Sequence, residues 1–330
     1  MIHVEQLSKQ FQTYDKMPGL KNSLKSLVNR QYRTVHAVKD ITFTVQEGEF
    51  VGFIGPNGAG KTTTLKMLSG LLHPSKGEVS VFGHKPQLRQ KSFLKGIGYV
   101  AGQKQQIPLD LTPGDAFLLN KAVYEISDSA YRGRLSELTT ILELSGLLNK
   151  QVKRMSLGER MRCELAVSLL HNPRVLFLDE PTIGLDVTMQ TSMRQFLRDH
   201  NTMFSTTILM TSHYMHDIAE LAKRIIVISR GGLVYDGSLE NLIKSLNIPQ
   251  VLKVKFGEVD IDLKYLNSIA PAKRISNSEI HLQVLPNEVP KVIASLTQNF
   301  SVLSLIVQEA PLEDIMLNVF SQKENNEFAL

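Results

Sequence analysis

The sequence predicts an α/β fold whose main body is a mostly parallel sheet covered by helices on both faces. Three observations carry this. The runs Val175-Leu176-Phe177-Leu178, Thr207-Ile208-Leu209-Met210 and Ile225-Ile226-Val227-Ile228 are apolar without interruption. Strands buried on both faces read that way, whereas half-exposed strands alternate. The second is helical periodicity between such runs, as in Leu135, Leu138, Ile141, Leu142 and Leu148, which fall on one side of an amphipathic helix. The third is a glycine-rich loop that follows the strand-like Glu49-Phe50-Val51-Gly52-Phe53-Ile54 and opens a helix at Thr64-Leu65-Lys66-Met67-Leu68.

Taken in chain order, residues 1–11 read as a strand and turn, 12–33 as an insertion, and 35–45 as a strand through Val38, Ile41, Phe43 and Val45. The glycine-rich loop and its helix run to about Leu72, and short strands follow at 77–82 and 97–100. Residues 115–148 are helical in pattern, and the three apolar strands come after them. Beyond about Leu246 the segments 251–256, 280–284 and 302–307 read as strands and 288–298 as a helix. Pro311-Leu312-Glu313-Asp314-Ile315 starts a last helix. The expected division is a main domain over 1–245, with a helical subdomain at about 104–172, and a small accessory α+β domain over 246–330. Structural support, dimerisation and regulation all remain open for the accessory domain.

Composition narrows the class. No apolar run reaches the length of about 20 residues that crosses a bilayer. Met1-Ile2-His3-Val4-Glu5 reads as the start of a strand rather than a leader. Cys163 is the only cysteine, so no internal disulfide forms and a reducing cytoplasm fits. The net charge of +5 is mild and describes a solvated surface better than a nucleic-acid-binding one.

The chemistry starts at Gly55-Pro56-Asn57-Gly58-Ala59-Gly60-Lys61-Thr62-Thr63, a complete G-x-x-x-x-G-K-[ST] loop between strand and helix. Its glycines let backbone N–H groups wrap an anion, and the helix N-terminus adds its positive end. Lys61 is placed to reach the β- and γ-phosphates of a nucleoside triphosphate, and the Thr62 hydroxyl to take one position on Mg²⁺. Asp179 and Glu180 end an apolar strand, where open parallel sheets hold their ligands. Asp179 is the candidate for Mg²⁺, and Glu180 the candidate that polarises the attacking water.

Upstream of that strand, Met155-Ser156-Leu157-Gly158-Glu159-Arg160 precedes a helix and resembles the L-S-G-G-Q signature of ATP-binding-cassette (ABC) ATPases. Gln103 after a strand, Gly184-Leu185-Asp186 after the acidic pair, and Thr211-Ser212-His213 after another strand follow the family's order over about residues 1–240. The resemblance implies roles for each. Gln103 looks like the lid glutamine that contacts Mg²⁺ and senses a membrane partner. Ser156 and Gly158 look like the signature that caps the γ-phosphate of an ATP held by the other subunit. Asp186 resembles the dimer-contact aspartate, and His213 the switch histidine on the γ-phosphate. A helix N-terminus at Ser156 suits such an anion.

The sequence departs from the pattern in two places. Met155, Leu157 and Glu159 replace the first, third and fifth signature residues; Glu159 reads either as a helix cap or as a group close to ATP. The family stacks adenine on an early aromatic, and here Phe11 and Tyr32 compete, with Tyr32 favoured by its position just before residues 35–40. Within 12–33, Leu20, Leu24, Leu27 and Val28 share a helical face, with Lys21, Lys25, Arg30 and Arg33 around it. Such a segment suits a membrane surface or partner, and equally a helix packed on its own domain.

The resemblance implies an ABC ATPase (P-loop NTPase) that uses ATP and Mg²⁺ and works as a homodimer. Its further partners would be separately encoded integral membrane permease subunits, met from the cytoplasmic face of the inner membrane. Export is the direction of the single-cassette subunits it most resembles, with import as the alternative, because the membrane subunits set direction. ABC ATPases that act on nucleic acid or ribosomes carry paired cassettes or long coiled-coil or zinc insertions. This chain has one phosphate loop and one cysteine, and no nucleic-acid partner is expected.

Overall fold

The computed structural model describes residues 1–14, 32–101, 106–212, 214–257, 261–309, 312, 315–316 and 319–320. They form two compact units, Met1–Gly237 and Ser238–Leu330.

In the first unit the strands are β1 (Ile2–Tyr14), β2 (Tyr32–Val45), β3 (Phe50–Ile54), β4 (Lys76–Val81), β5 (Ile97–Ala101), β6 (Val175–Asp179), β7 (Thr207–Thr211), β8 (Arg224–Ser229) and β9 (Gly232–Gly237). The helices of this unit are α1 (Lys61–Leu68), α2 (Lys91–Lys95), α3 (Pro113–Val123), α4 (Asp128–Ile141), α5 (Leu157–Leu169), α6 (Val187–Phe204) and α7 (Met215–Leu221). Among the described residues the larger sheet has the order β5-β6-β7-β3-β8-β9. Its neighbours are parallel until β9, which returns antiparallel to β8. Every residue of β3, β6 and β7 is buried, which explains why these strands carry no polar alternation. A second, antiparallel sheet has the order β2-β1-β4. Ile2, Val4, Ile41 and Phe43 from it share one core with Val51, Phe53, Leu65 and Leu68, so this sheet backs the phosphate-loop helix.

Strand register positions the site. Asp179 at the end of β6 pairs laterally with Thr211 at the end of β7, and Thr211 pairs with Phe53 near the end of β3. The loop after β3 therefore opens on the same sheet edge as both strand-terminal groups.

The stretch read as one helical pattern over 115–148 is two helices. Thr112 caps α3 through a reciprocal box with Asp115, and Pro113 sits in its first turn. Ser127 caps α4. Between them Glu125 adopts φ 57°, a left-handed conformation that no helix continues through.

The expected insertion at 12–33 is also redrawn. β1 runs on to Tyr14 and β2 starts at Tyr32, with Gln12 opposite Thr34, Thr13 opposite Arg33 and Tyr14 opposite Tyr32. These positions belong to a long two-stranded ribbon. Residues 15–31, with Leu20, Lys21, Leu24, Lys25, Leu27, Val28 and Arg30, lie outside the described residues.

The second unit opens with α8 (Leu239–Leu246), capped by Ser238. Then follow β10 (Gln250–Phe256), α9 (Leu263–Ile269), β11 (Ala272–Arg274), β12 (Glu279–Val284), α10 (Val289–Asn299) and β13 (Val302–Gln308). The order β11-β12-β10-β13, antiparallel throughout, is the βαββαβ ferredoxin-like arrangement. Leu252, Val254, Ile280 and Leu282 from alternate strand positions meet Leu266, Val292 and Leu296 from the helices. The helices thus cover one face of this sheet.

Candidate active site

The loop after β3 is shaped by its glycines. A Cβ on Gly55 would stand 2.2 Å from the Ile228 carbonyl oxygen, and one on Gly60, at φ 109°, would stand 2.4 Å from that of Ala37. Neither position accepts a side chain. Asn57 and Gly58 form the exposed tip, while Ala59 is buried, with its N–H on the Pro56 carbonyl at 3.1 Å. The N-terminus of α1 has no side-chain cap and no acidic residue in its first turn. Its leading N–H groups, including those of Thr62 and Thr63, have no intrahelical acceptor. An uncapped helix start under a glycine-rich loop is a fitting cradle for phosphate.

Lys61 is 5% exposed, and its ammonium donates to the carbonyls of Gly55 at 2.5 Å and Pro56 at 3.1 Å. Burial pulls its pKa below the usual lysine range, partly offset by the charges of Glu180 and Asp179. A buried cation facing an uncapped helix start gains most from an anionic ligand.

Asp179 is the hub of the opposite wall. Its Oδ1 accepts from the hydroxyls of Thr62 at 3.0 Å and Thr211 at 2.9 Å, and Oδ2 accepts from Tyr99 at 3.4 Å. Burial, then the Asp179 charge, raises the Tyr99 phenol well above its ordinary range, so it stays a neutral donor. The Thr211 hydroxyl also accepts the Glu180 N–H at 3.0 Å, tying the two acidic residues together through one side chain. Glu180 holds φ 58°, an uncommon conformation for a residue with a Cβ. Thr62, Lys66, Leu71, Tyr99, Ala101, Asp179 and Glu180 line a cleft of about 520 Å³.

The signature segment forms a second cluster. Ser156 caps α5: its Oγ accepts from the Glu159 N–H at 3.2 Å, and Glu159 Oε2 accepts from the Ser156 N–H at 2.8 Å. Lys150 donates to both Glu159 oxygens at 3.0 and 2.8 Å and, with the Ser156 N–H, lowers the carboxyl's pKa. Both Glu159 oxygens are engaged in holding the helix start, as the cap reading expects. Leu157 lies on the loop after β6, where a Cβ on Gly184 would stand 2.3 Å from its Cδ2. Gly158 faces Leu185 and Met189, and Asp186 caps α6 by accepting the Met189 N–H at 2.9 Å. Gln103 and His213 lie outside the described residues.

The comparisons with known proteins agree with this geometry. Residues 38–183 match the family model described as ABC transporter. The Nod factor export ATP-binding protein I of Burkholderia orbicola is 31% identical over 88% of this chain and 94% of its own. The chain belongs to the ABC transporter family. The linearmycin resistance ATP-binding protein LnrL of Bacillus subtilis is 27% identical over 88% of this chain and 96% of its own. The dimeric structure of a bacterial ABC transporter cassette superposes with a TM-score of 0.61 at 26% identity, covering 72% of this chain and 99% of that one. As an ABC transporter ATP-binding subunit, the chain is an ATPase.

Sequence reasoning passed over several groups that support the ABC site. Thr211 appeared only as part of a motif and Tyr99 not at all, yet both donate to Asp179. Asp217, fully buried, accepts from Thr182 at 2.6 Å, Ser212 at 3.2 Å and Arg194 at 2.7 Å. It joins the segment after Glu180 to the segment before His213. The signal was an acidic residue one helical turn after Thr211-Ser212-His213, on the inner side of α7.

Proposed function

We propose that two copies of this chain close around ATP and drive export through separately encoded membrane subunits, at the cytoplasmic face of the membrane. The observation that carries the proposal is the incompleteness of the cleft. Thr62, Asp179 and Glu180 line it, but Ser156 and Gly158 do not. The uncapped loop and the capped signature helix are two half-sites, and a second copy supplies the missing half. The dimeric cassette supports that arrangement, and the two relatives named for export and resistance support the direction. Among the described residues no helix is long and apolar enough to cross a membrane.

Mg²⁺ fits beside Thr62 and Asp179, whose oxygens lie 3.0 Å apart; such hard ligands suit this ion, which supplies charge neutralisation on the phosphates. Lys61 and the N–H groups of residues 58–63 bind and orient the phosphates, and Glu180 takes the proton of the attacking water. Gln103 and His213 retain the lid and switch roles implied by the family pattern, Asp186 the dimer contact. For adenine stacking, where the sequence order favours Tyr32, the strand positions support Phe11 instead. Ala37 touches the loop at Gly60. Phe11 pairs with Val35, two positions from Ala37 and about 7 Å along the strand, whereas Tyr32 lies five positions and about 16 Å away. Phe11→Ala is therefore expected to weaken ATP binding about tenfold, the scale of one aromatic stacking contact, and Tyr32→Ala to leave it within twofold, both by fluorescent-nucleotide titration. The reverse ranking returns the role to Tyr32.

Removal of residues 238–330 is expected to leave a folded unit that binds ATP as the full chain does, because every loop, carboxylate and signature group lies before Gly237. A truncated protein with native circular dichroism and no ATP binding would contradict this. The transport reading is tested by co-expression with the polytopic membrane protein of the neighbouring reading frame. Recovery of the chain in the membrane fraction and cargo efflux lost in Lys61→Ala are expected; persistent absence from membranes would overturn it.

A further inference from the structure

The last strand of the second unit is β13, Val-Leu-Ser-Leu-Ile-Val-Gln, which has neither charge nor proline; beyond it, the described residues 312, 315–316 and 319–320 are helical, with Ile315, Met316 and Val319 buried. Among the described residues it lies at the sheet edge and pairs with β10 alone. Leu303 is 70% exposed, Ile306 57% and Val307 41%. Long uncharged edges invite further strands, and proteins ordinarily blunt them. The opposite edge is blunted: β11 has three residues, two of them Lys273 and Arg274.

Charge selects what pairs with β13. Leu252, Val254, Ile280 and Leu282 point into the core, so the residues between them line the other face of the sheet. Lateral pairing sets Ile306, Lys253, His281 and Lys273 in one row, and Ser304, Lys255 and Glu279 in the next. Three lysines face one acid, Glu279, which His281 already contacts at 3.0 Å. A second copy laid face to face would bring these lysines together, and one joined through β11 would oppose Lys273 and Arg274. Of these three arrangements, pairing through β13 is the one in which no like charges meet among the described residues. Antiparallel pairing of one strand with itself is two-fold symmetric and extends the four strands to eight. Leu305 already packs on the core, so the joined sheet would continue that core across the seam.

We propose that β13 pairs antiparallel with β13 of a second copy, giving the chain a dimer contact that is independent of ATP. Two nucleotide-binding units tethered in this way would meet at raised effective concentration.

The test uses the full chain freed of nucleotide by apyrase and EDTA, with mass measured by light scattering over a concentration series. The wild type is expected at twice the 37.0 kDa chain mass, and Leu303→Lys/Ile306→Lys at 37.0 kDa. Circular dichroism and ATP binding of that variant should be unchanged, since both side chains are exposed. A monomeric wild type, a dimer that survives both lysines, or open-ended oligomers would each overturn the proposal. None of these outcomes bears on the ATP-dependent contact, which needs nucleotide. Should the lysine variant not fold, Ser304→Cys decides. Cys163 is buried, and burial pushes its thiol up to about 12, so the new thiol reacts alone. A bismaleimide spanning about 10 Å, longer than the offset of one strand step, should cross-link Ser304→Cys and not Lys255→Cys, one strand further from the seam; cross-linking at neither, or only at 255, would reject the strand pair.

Discussion

Lys61→Ala is expected to abolish ATP turnover, with a loss of at least about 10²–10³-fold, the scale of a missing fixed donor in a preorganised site. The side chain is 5% exposed and bridges the Gly55 and Pro56 carbonyls, so its removal takes away a positive charge already aimed into the loop. Loss of fold is the rival explanation, and the sign of the electrostatics separates the two. Burial lowers the Lys61 pKa from the ordinary 10.5, so below its folded-state pKa the ammonium works against folding. That penalty fades as pH rises toward 10.5, where the unfolded chain also loses its proton. The gain in stability that the wild type shows as that penalty fades at alkaline pH should be missing from Lys61→Ala, whose melting temperature at neutral pH reports separately on the two lost carbonyl contacts. Inactivity with an unchanged or raised Tm assigns the effect to the site. Turnover at the wild-type rate in phosphate-release assays would remove the loop from the mechanism.

The sheet and its acidic strand end were legible because the physics there is local. Val175–Leu178 of β6 are fully buried, so they had to be apolar, and Asp179 and Glu180 mark the carboxyl end of the strand, where such sheets hold their ligands. The β1–β2 ribbon was not legible. Past Lys9 and Val38 it is largely exposed, and Gln10, Gln12, Thr34 and His36 show no alternation; a strand that buries neither face leaves no period to read. The second unit was half legible. Its long strands alternate, but β11 has three residues and α9 seven, too short for a periodic signal, so the βαββαβ topology stayed hidden. At the site, the capping box of Ser156 and Glu159 was readable from three-residue spacing, whereas Lys150 reaches Glu159 from outside the helix. Thr211 was invisible as a hub because its role depends on lateral register with Asp179, which only strand pairing sets.

Glu180→Gln should stop hydrolysis while sparing ATP binding, a fall of about 10²–10⁴-fold for a lost general base. Its backbone N–H is held by the Thr211 carbonyl at 3.1 Å and hydroxyl at 3.0 Å. An amide of the same shape leaves that backbone anchoring in place and removes the carboxylate that takes the proton. ATP then stays between Lys61 of one copy and Ser156 of the other, and an ATP-dependent dimer accumulates. Because β13 would hold two copies together without nucleotide, the measurement belongs in the Leu303→Lys/Ile306→Lys background, by gel filtration with and without ATP. Adding Ser156→Arg should break the dimer through bulk and charge. It also removes the α5 cap, worth about 1 kcal/mol, so Ser156→Ala serves as the control that loses the cap alone. A dimer that survives the alanine and fails with the arginine locates Ser156 in the interface; one that fails with both reports only helix fraying. A Glu180→Gln chain that binds ATP tightly yet stays monomeric, with its membrane partner present or absent, would sink the shared site, and hydrolysis would have to be completed within one chain.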